Sequence, residues 1–124
     1  MESRTPPPRG SDILAQKARS AWQAARQVAD THPESAASRA YYAAHHALRW
    51  RLGRDLPRGH GGIVSEDVVT QLDLSMEDVR SLTVLYYVRH KADYGDKSRI
   101  QNRESRECVE RARALLLHLG FDLG

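Results

Sequence analysis

The chain has 124 residues, a length that fits one ordinary domain with a continuous core. Its single cysteine, Cys108, excludes an intrachain disulfide and a cysteine-rich zinc site, and is typical of a reducing cytoplasm. The net charge of +3 is too small to indicate a nucleic-acid partner by itself, and no apolar run reaches the roughly 20 residues that span a membrane. We therefore expect a cytoplasmic protein without a membrane anchor.

The chain begins with a segment that cannot enter a helix. Residues 1–10 are polar and contain the run Pro6-Pro7-Pro8, so we predict a disordered lead-in there. Residues 11–124 form the predicted single domain. They lack alternating strand patterns and internal repeats, but apolar residues recur at helical spacing. The predicted fold is all-α, an antiparallel up-and-down bundle of four to five helices.

Caps and helix breakers place the individual helices. Serines fit the N-cap positions, whereas glycines and His32-Pro33 end the helical patterns. The predicted helices cover about 12–29, from 34 or 35 to about 52, 65–72, from the cap at 75 to about 93, and roughly 102–119. Four glycines and a proline predict a loop over 53–62. On the first helix, the predicted buried stripe is Leu14, Ala18, Ala21, Ala25 and Val28, with Trp22 at its edge.

The fourth predicted helix carries the strongest local signal, because its apolar stripe becomes polar at the end. Val79, Leu82, Tyr86, Arg89 and Asp93 follow steps of three and four residues, so they share one face. On the functional interpretation, Arg89 lies at the mouth of a groove and offers its guanidinium to a phosphate. The alternative is an ion pair between Arg89 and Asp93 that only covers the end of the bundle. Exposed pairs of that kind contribute only about 0.3–0.5 kcal/mol.

Histidines are the candidate proton carriers. His45 and His46 are adjacent, so on a helix they point about 100° apart and cannot chelate one metal ion. His46 shares a line with Arg39 and is suited to carry a proton near neutral pH. The alternative for each is a partly buried ring that hydrogen-bonds to a tyrosine or a backbone carbonyl. His60 lies among glycines, but no Walker or Rossmann pattern surrounds it. We predict no metal site and no cofactor.

Three short motifs follow one another along these helices. They read SRAYYAAHHA at residues 38–47, HGG at residues 60–62 and RHKADY at residues 89–94. In that order they resemble three elements of the HEPN family (higher eukaryotes and prokaryotes nucleotide-binding): its second-helix signature, its histidine-glycine stretch, and the R-x-x-A-D-Y element that closes its fourth helix. The resemblance extends over about residues 12–119.

The resemblance implies a HEPN-like bundle that forms a homodimer with a cleft between the protomers. It also implies RNA or a nucleotide as ligand. Many HEPN proteins are metal-independent endoribonucleases, and small ones often act as toxins beside a nucleotidyltransferase antitoxin. We therefore expect a toxin or defence protein that binds RNA, with metal-free cleavage as the further hypothesis. The alternatives are a non-catalytic HEPN module that binds a nucleotide or a protein, and a plain helical interaction domain.

The sequence departs from the family's catalytic element, R-x4–6-H near the end of the fourth helix. After Arg89 the only nearby histidine is the adjacent His90, and Asp93 and Tyr94 stand where the catalytic histidine is expected. On the nuclease hypothesis, Arg89 holds the scissile phosphate, and Asp93 orients Arg89 or a proton carrier.

The remaining roles follow the same resemblance. His46 or His60 would then serve as acid or base. Arg39, Arg89 and Tyr94 are the predicted nucleotide- or phosphate-binding residues. Tyr94 also matches the tyrosine that the antitoxin adenylylates in the nuclease branch.

Overall fold

The computed structural model describes residues 12–56, 65–95 and 99–124, and within these ranges the chain is helical with no strand. The helices are α1 (Asp12–Val28), α2 (Pro33–Leu52), α3 (Glu66–Gln71), α4 (Met76–Tyr94) and α5 (Asn102–His118). The predicted all-α bundle is confirmed. The predicted lead-in over residues 1–10 lies outside the described residues, as does His60. None of the described helices has the length and apolar character that crossing a bilayer requires.

Contacts between the helix ends show that α4 and α5 run antiparallel. At one end, Asp78 near the start of α4 pairs with His118 at the end of α5. At the other end, Lys91 near the end of α4 lies 3.3 Å from the carboxylate of Glu104 near the start of α5. The end of α1 meets the same region, because the Ser105 hydroxyl donates a buried hydrogen bond to the Ala29 carbonyl at 2.7 Å. The ends of α1 and α4 and the start of α5 therefore lie together.

α2 lies at the centre of the bundle and packs against α1, α4 and α5. Most of its inward side chains are methyl groups, so the neighbouring helices can approach its backbone closely. Its fully buried alanines are Ala36, Ala37, Ala40, Ala43, Ala44 and Ala47. The helix begins at Pro33, earlier than predicted, with His32 as the N-cap. Proline is well suited to this first position because the N–H it lacks would have no partner within the helix.

Trp22 is at the centre of the buried face of α1, and not at its edge as predicted. It is 2% exposed, and its indole N–H donates to the Val109 carbonyl of α5 at 3.1 Å. Leu14, Ala21 and Val28, all from the predicted stripe, are only partly buried. The buried face of α1 is therefore rotated relative to the predicted stripe. The reason is that the large side chain of Trp22 fills the space between the alanines of α1 and helix α5.

The boundaries of α4 determine where its polar end lies. At the start, the Ser75 hydroxyl accepts from the Asp78 N–H at 3.0 Å, and the Asp78 carboxylate accepts from the Ser75 N–H at 2.9 Å. This is the predicted capping box. At the end, a side chain on Gly95 would place its Cβ only 2.5 Å from the Lys91 carbonyl oxygen. The chain can therefore leave the helix at this point because residue 95 is glycine, one residue after Tyr94.

Candidate functional site on α2 and α4

Arg89 lies near the end of α4 with its side chain turned towards α2. The side chain is 18% exposed. Its guanidinium carbon lies 5.1 Å from the ring centroid of Tyr41, 5.5 Å from that of Tyr42 and 5.7 Å from that of Tyr94. Cations within about 6 Å of an aromatic centroid are attracted by the negative face of the ring. Three tyrosines from two helices therefore hold this cation.

Polar contacts fix the guanidinium further. Its Nη2 donates to the Tyr42 hydroxyl at 3.0 Å, and its Nε lies 2.8 Å from the Asp93 carboxylate oxygen Oδ2. The Nε–H does not align with that oxygen, so the contact is an ion pair without a hydrogen bond. No acceptor within the described ranges contacts Nη1. The guanidinium of Arg89 is thus held at Nε and Nη2, and its Nη1 can donate to an acceptor on another molecule.

The charge of this cluster follows from its contacts. Partial burial would lower the pKa of Arg89, but the Tyr42 hydroxyl and the Asp93 carboxylate outweigh it, so the pKa is raised and the group stays cationic. Burial raises the pKa of Tyr41 despite the opposing effect of Arg89, so this phenol stays neutral. The cluster presents one fixed positive charge among neutral rings, partly compensated by Asp93.

Two histidines on α2 continue the aromatic surface. The His45 ring centroid lies 6.1 Å from that of Tyr41, and the His46 centroid lies 6.3 Å from that of Tyr42. Burial lowers the pKa of both histidines, and nearby cations lower it further: Arg49 for both, and also Arg89 for His45. Both Nδ1 atoms are buried without a hydrogen-bond partner. Both imidazoles are therefore neutral at neutral pH and able to accept a proton.

A family comparison identifies the fold family of this bundle. The model of the HEPN domain family matches residues 11–119 of the chain. This chain belongs to the HEPN family. Membership implies a function related to nucleotides or RNA. No curated protein matches the chain.

The HEPN helices bring together some of the predicted site residues. Arg89, Asp93 and Tyr94 form one cluster, so the ion pair considered as the alternative interpretation exists, and Arg89 also reaches α2. His46 contacts this cluster through Tyr42. Arg39 is exposed and donates to the Ser35 hydroxyl at 3.1 Å, and no contact with Arg89 is found in the described part of the chain.

Three residues of the candidate site were not among the predicted site residues. Tyr41 and Tyr42 surround Arg89, and His45, not His46, is the histidine whose pKa responds to Arg89. The adjacent tyrosines of the second-helix motif were the signal available in the sequence. Tyr41 serves two purposes, because it is buried in the core and also contacts Arg89.

The described residues give less support to a cysteine nucleophile or a metal site. The thiol of Cys108 is buried, and burial followed by Glu107 and Glu104 raises its pKa to about 12. A thiol of that pKa is a poor nucleophile. Within the described ranges, no three His, Cys, Asp or Glu side chains are grouped closely enough to hold a metal ion.

The lowered pKa values of His45 and His46 predict a pH-dependent stability. In the unfolded chain both imidazoles take up protons near pH 6.5, whereas the folded chain resists this until a lower pH. The stabilisation is therefore complete above about pH 6.5 and is lost as pH falls through the folded values. Urea denaturation from about pH 7.5 to about pH 5 should show a shallower decline for a His45→Gln, His46→Gln variant. The exposed His32→Gln variant is the control, and an equal decline in all three proteins would contradict the assignment.

Proposed function

We propose that this HEPN protein binds RNA through the surface around Arg89 and cleaves the bound strand without a metal ion, as a toxin or defence protein. The observation that carries the proposal is the guanidinium of Arg89, which is held by Tyr42 and Asp93 while its Nη1 has no acceptor in the described part of the chain. A planar fork fixed in this way suits a phosphodiester, because two of its oxygens can accept from one guanidinium.

Exposed aromatic rings around Arg89 favour RNA over a small anion. Tyr94 is 65% exposed and Tyr42 38%, and their ring centroids lie 5.7 Å and 5.5 Å from the guanidinium carbon of Arg89. The His90 ring lies 4.8 Å from that of Tyr94. Proteins that bind single-stranded RNA stack unpaired bases on such rings beside a cationic group that contacts the backbone. The surface thus combines a phosphate-binding cation with places for bases.

The neutral histidines give this surface a base. We infer that His45 or His46 accepts the proton of an RNA 2′-hydroxyl, whose oxygen then attacks the adjacent phosphorus. The bond to the 5′-oxygen breaks, that oxygen takes a proton from an acid, and a 2′,3′-cyclic phosphate remains. Arg89 offsets the negative charge that grows on the phosphate. His60 or a group of the second protomer in a homodimer is the proposed acid.

The second candidate function is a HEPN module that binds a nucleotide or a partner protein without cleaving RNA. The observation that favours it is the ion pair of Arg89 with Asp93, at a position where the family's nuclease motif has its histidine. In that case Arg89 binds a phosphate, but Asp93 and Tyr94 stand on α4 where the family's nuclease motif has its histidine.

A nucleotidyltransferase antitoxin is the proposed partner. Its acceptor would be Tyr94, whose exposed side chain an enzyme can reach. When the Tyr94 oxygen attacks the α-phosphorus of ATP, it loses its proton, pyrophosphate leaves and AMP remains on the tyrosine as a bulky anion beside Arg89. Such a group would compete with RNA for the same guanidinium, which gives a physical reason for inhibition.

A paired-substrate assay tests the proposed function. Purified protein is incubated in EDTA with a single-stranded RNA and with the same sequence made of DNA. We expect cleavage of the RNA to 2′,3′-cyclic phosphate ends and no cleavage of the DNA, because the DNA has no 2′-hydroxyl. Binding of the RNA without any cleavage would support the non-catalytic module. Absence of RNA binding would overturn the proposal.

A further inference from the structure

A hollow of about 680 Å³ lies at the start of α5, away from the α2–α4 site. Its lining comes from one short stretch of the chain and includes three arginines. The lining residues are Arg99, Ile100, Gln101, Asn102, Arg103 and Arg106.

The arginines of this hollow differ in their partners. Arg106 pairs with Asp30 at 3.0 Å. Arg99 and Arg103 form no ion pair with any carboxylate in the described ranges, although other arginines of this chain do. Neighbouring cations without partners repel one another, and an anion between them removes that repulsion. The hollow therefore favours an anionic ligand.

The nearest carboxylate, that of Glu104, has partners outside the hollow. The Glu104 side chain accepts from the Gln101 N–H at 2.9 Å and also pairs with Lys91. The Gln101 contact lowers the pKa of Glu104 most, and Lys91 and then Arg103 lower it further, so Glu104 offsets only part of the charge of Arg103. Gln101 and Glu104 also form a capping box at the start of α5, which gives the backbone amides of these two residues a partner. The guanidinium groups supply the positive charge that an anion in the hollow would contact.

The backbone beneath the arginines is held in place. Ile100 is 4% exposed, and the Ser105 hydroxyl donates to the Ala29 carbonyl. A smaller hollow of about 240 Å³ shares Arg106 but also contains the carboxylates of Asp30 and Glu110. That mixed lining does not favour an anion. The larger hollow is the better candidate for binding an anion, because its lining contains three arginines and no carboxylate.

The position of the hollow relates it to Arg89. Lys91 joins the end of α4 to Glu104 on α5, while Arg89, two residues earlier and so on the other side of α4, contacts α2. The two cationic surfaces therefore lie on different sides of the same end of α4. A strand that is bound at one of them can continue around this helix end to the other.

We propose that Arg99 and Arg103 bind backbone phosphates of the RNA that occupies the Arg89 surface, which makes the hollow a second contact site for the same strand. This inference rests on the proposed function. It implies that long RNA contacts both surfaces and that a short fragment at Arg89 does not reach the hollow.

The double variant Arg99→Gln, Arg103→Gln tests the inference. The control is the double variant Arg80→Gln, Arg113→Gln, which removes the same number of positive charges from other positions on α4 and α5. Binding of single-stranded RNAs of about 4 and about 16 nucleotides is measured against salt concentration. We expect the first variant to bind the long RNA about 10- to 30-fold more weakly at about 0.1 M salt. The slope of log K against log salt should fall by about 1.4, or roughly 0.7 for each lost phosphate contact. Its affinity for the short RNA should be unchanged.

The outcomes separate the inference from the proposed function. If the wild-type protein binds neither RNA, the proposed function fails and the inference fails with it. If the wild-type protein binds the long RNA and both double variants keep the same slope, the inference alone is overturned. Equal losses in the two double variants would reveal a general charge effect and would also overturn it. If inorganic phosphate binds to the wild-type protein but not to the Arg99→Gln, Arg103→Gln variant, and both proteins bind RNA equally well, the hollow binds a small anion instead and the inference is overturned.

Discussion

Replacing Trp22 with alanine should lower the free energy of unfolding by about 3–5 kcal/mol. The indole fills the space between α1 and α5 and is almost fully buried, so its removal leaves a cavity lined by alanines that are too short to close it. The Val109 carbonyl would also lose its indole partner. Urea denaturation followed by circular dichroism gives the value.

Two further variants keep this prediction testable if the alanine variant does not fold. Trp22→Phe retains most of the apolar volume and removes the indole N–H, so its loss should be smaller than that of Trp22→Ala. Trp50 is only partly buried and packs on Phe121 with centroids 4.5 Å apart, so Trp50→Ala is the matched control. A larger loss for Trp50→Ala than for the Trp22 variants would contradict the central position of Trp22.

The sequence predicted the frame of the molecule because local signals determine it. The Ser75–Asp78 box begins α4, and Gly120, with φ of +100°, follows α5, which agrees with the prediction that glycines end the helices. In that turn the Gly120 N–H donates to the Leu117 carbonyl, and the Phe121 N–H donates to the Leu116 carbonyl. Such signals act within a few residues, so they can be read without knowing which helices meet.

The errors have a different cause. The central position of Trp22 depends on Val109, 87 residues away in sequence, so the periodicity of α1 alone could not reveal it. The predicted face of α4 correctly joined Arg89 to Asp93, but the contact of Arg89 with Tyr42 depends on how α2 and α4 pack. Periodicity indicates that a face is buried or polar, and it does not identify the opposite side chain.

The same limitation explains why two interpretations of Arg89 remained open. An arginine that pairs with an aspartate one turn later has the same sequence pattern whether it only stabilises a helix end or also receives a phosphate. The structure adds the tyrosines, which hold the guanidinium from a second helix. An ion pair that merely covers a helix end has no need of that second support, which is why substitution of Arg89 is the decisive experiment.

Replacing Arg89 with alanine should reduce RNA cleavage by about 100-fold or more, a loss typical of removing a group that stabilises developing charge. RNA binding should weaken as well, because a phosphate loses its guanidinium partner. The fold should survive, since Arg89 lies in a partly exposed cluster outside the alanine-rich core. Cleavage kinetics in EDTA and the salt dependence of RNA binding measure the two effects, with Arg80→Ala as the surface control.

Two companion substitutions separate charge from geometry at this position. Arg89→Lys keeps the charge but loses the fork that spans Tyr42 and Asp93, so cleavage should fall almost as far as in Arg89→Ala. Asp93→Asn removes the competing carboxylate, so RNA should bind at least as tightly as in the wild type. A purely structural ion pair would lose stability in the Arg89 and Asp93 variants without any change in RNA cleavage or RNA binding. Undiminished cleavage and undiminished RNA binding by Arg89→Ala would therefore remove Arg89 from the site.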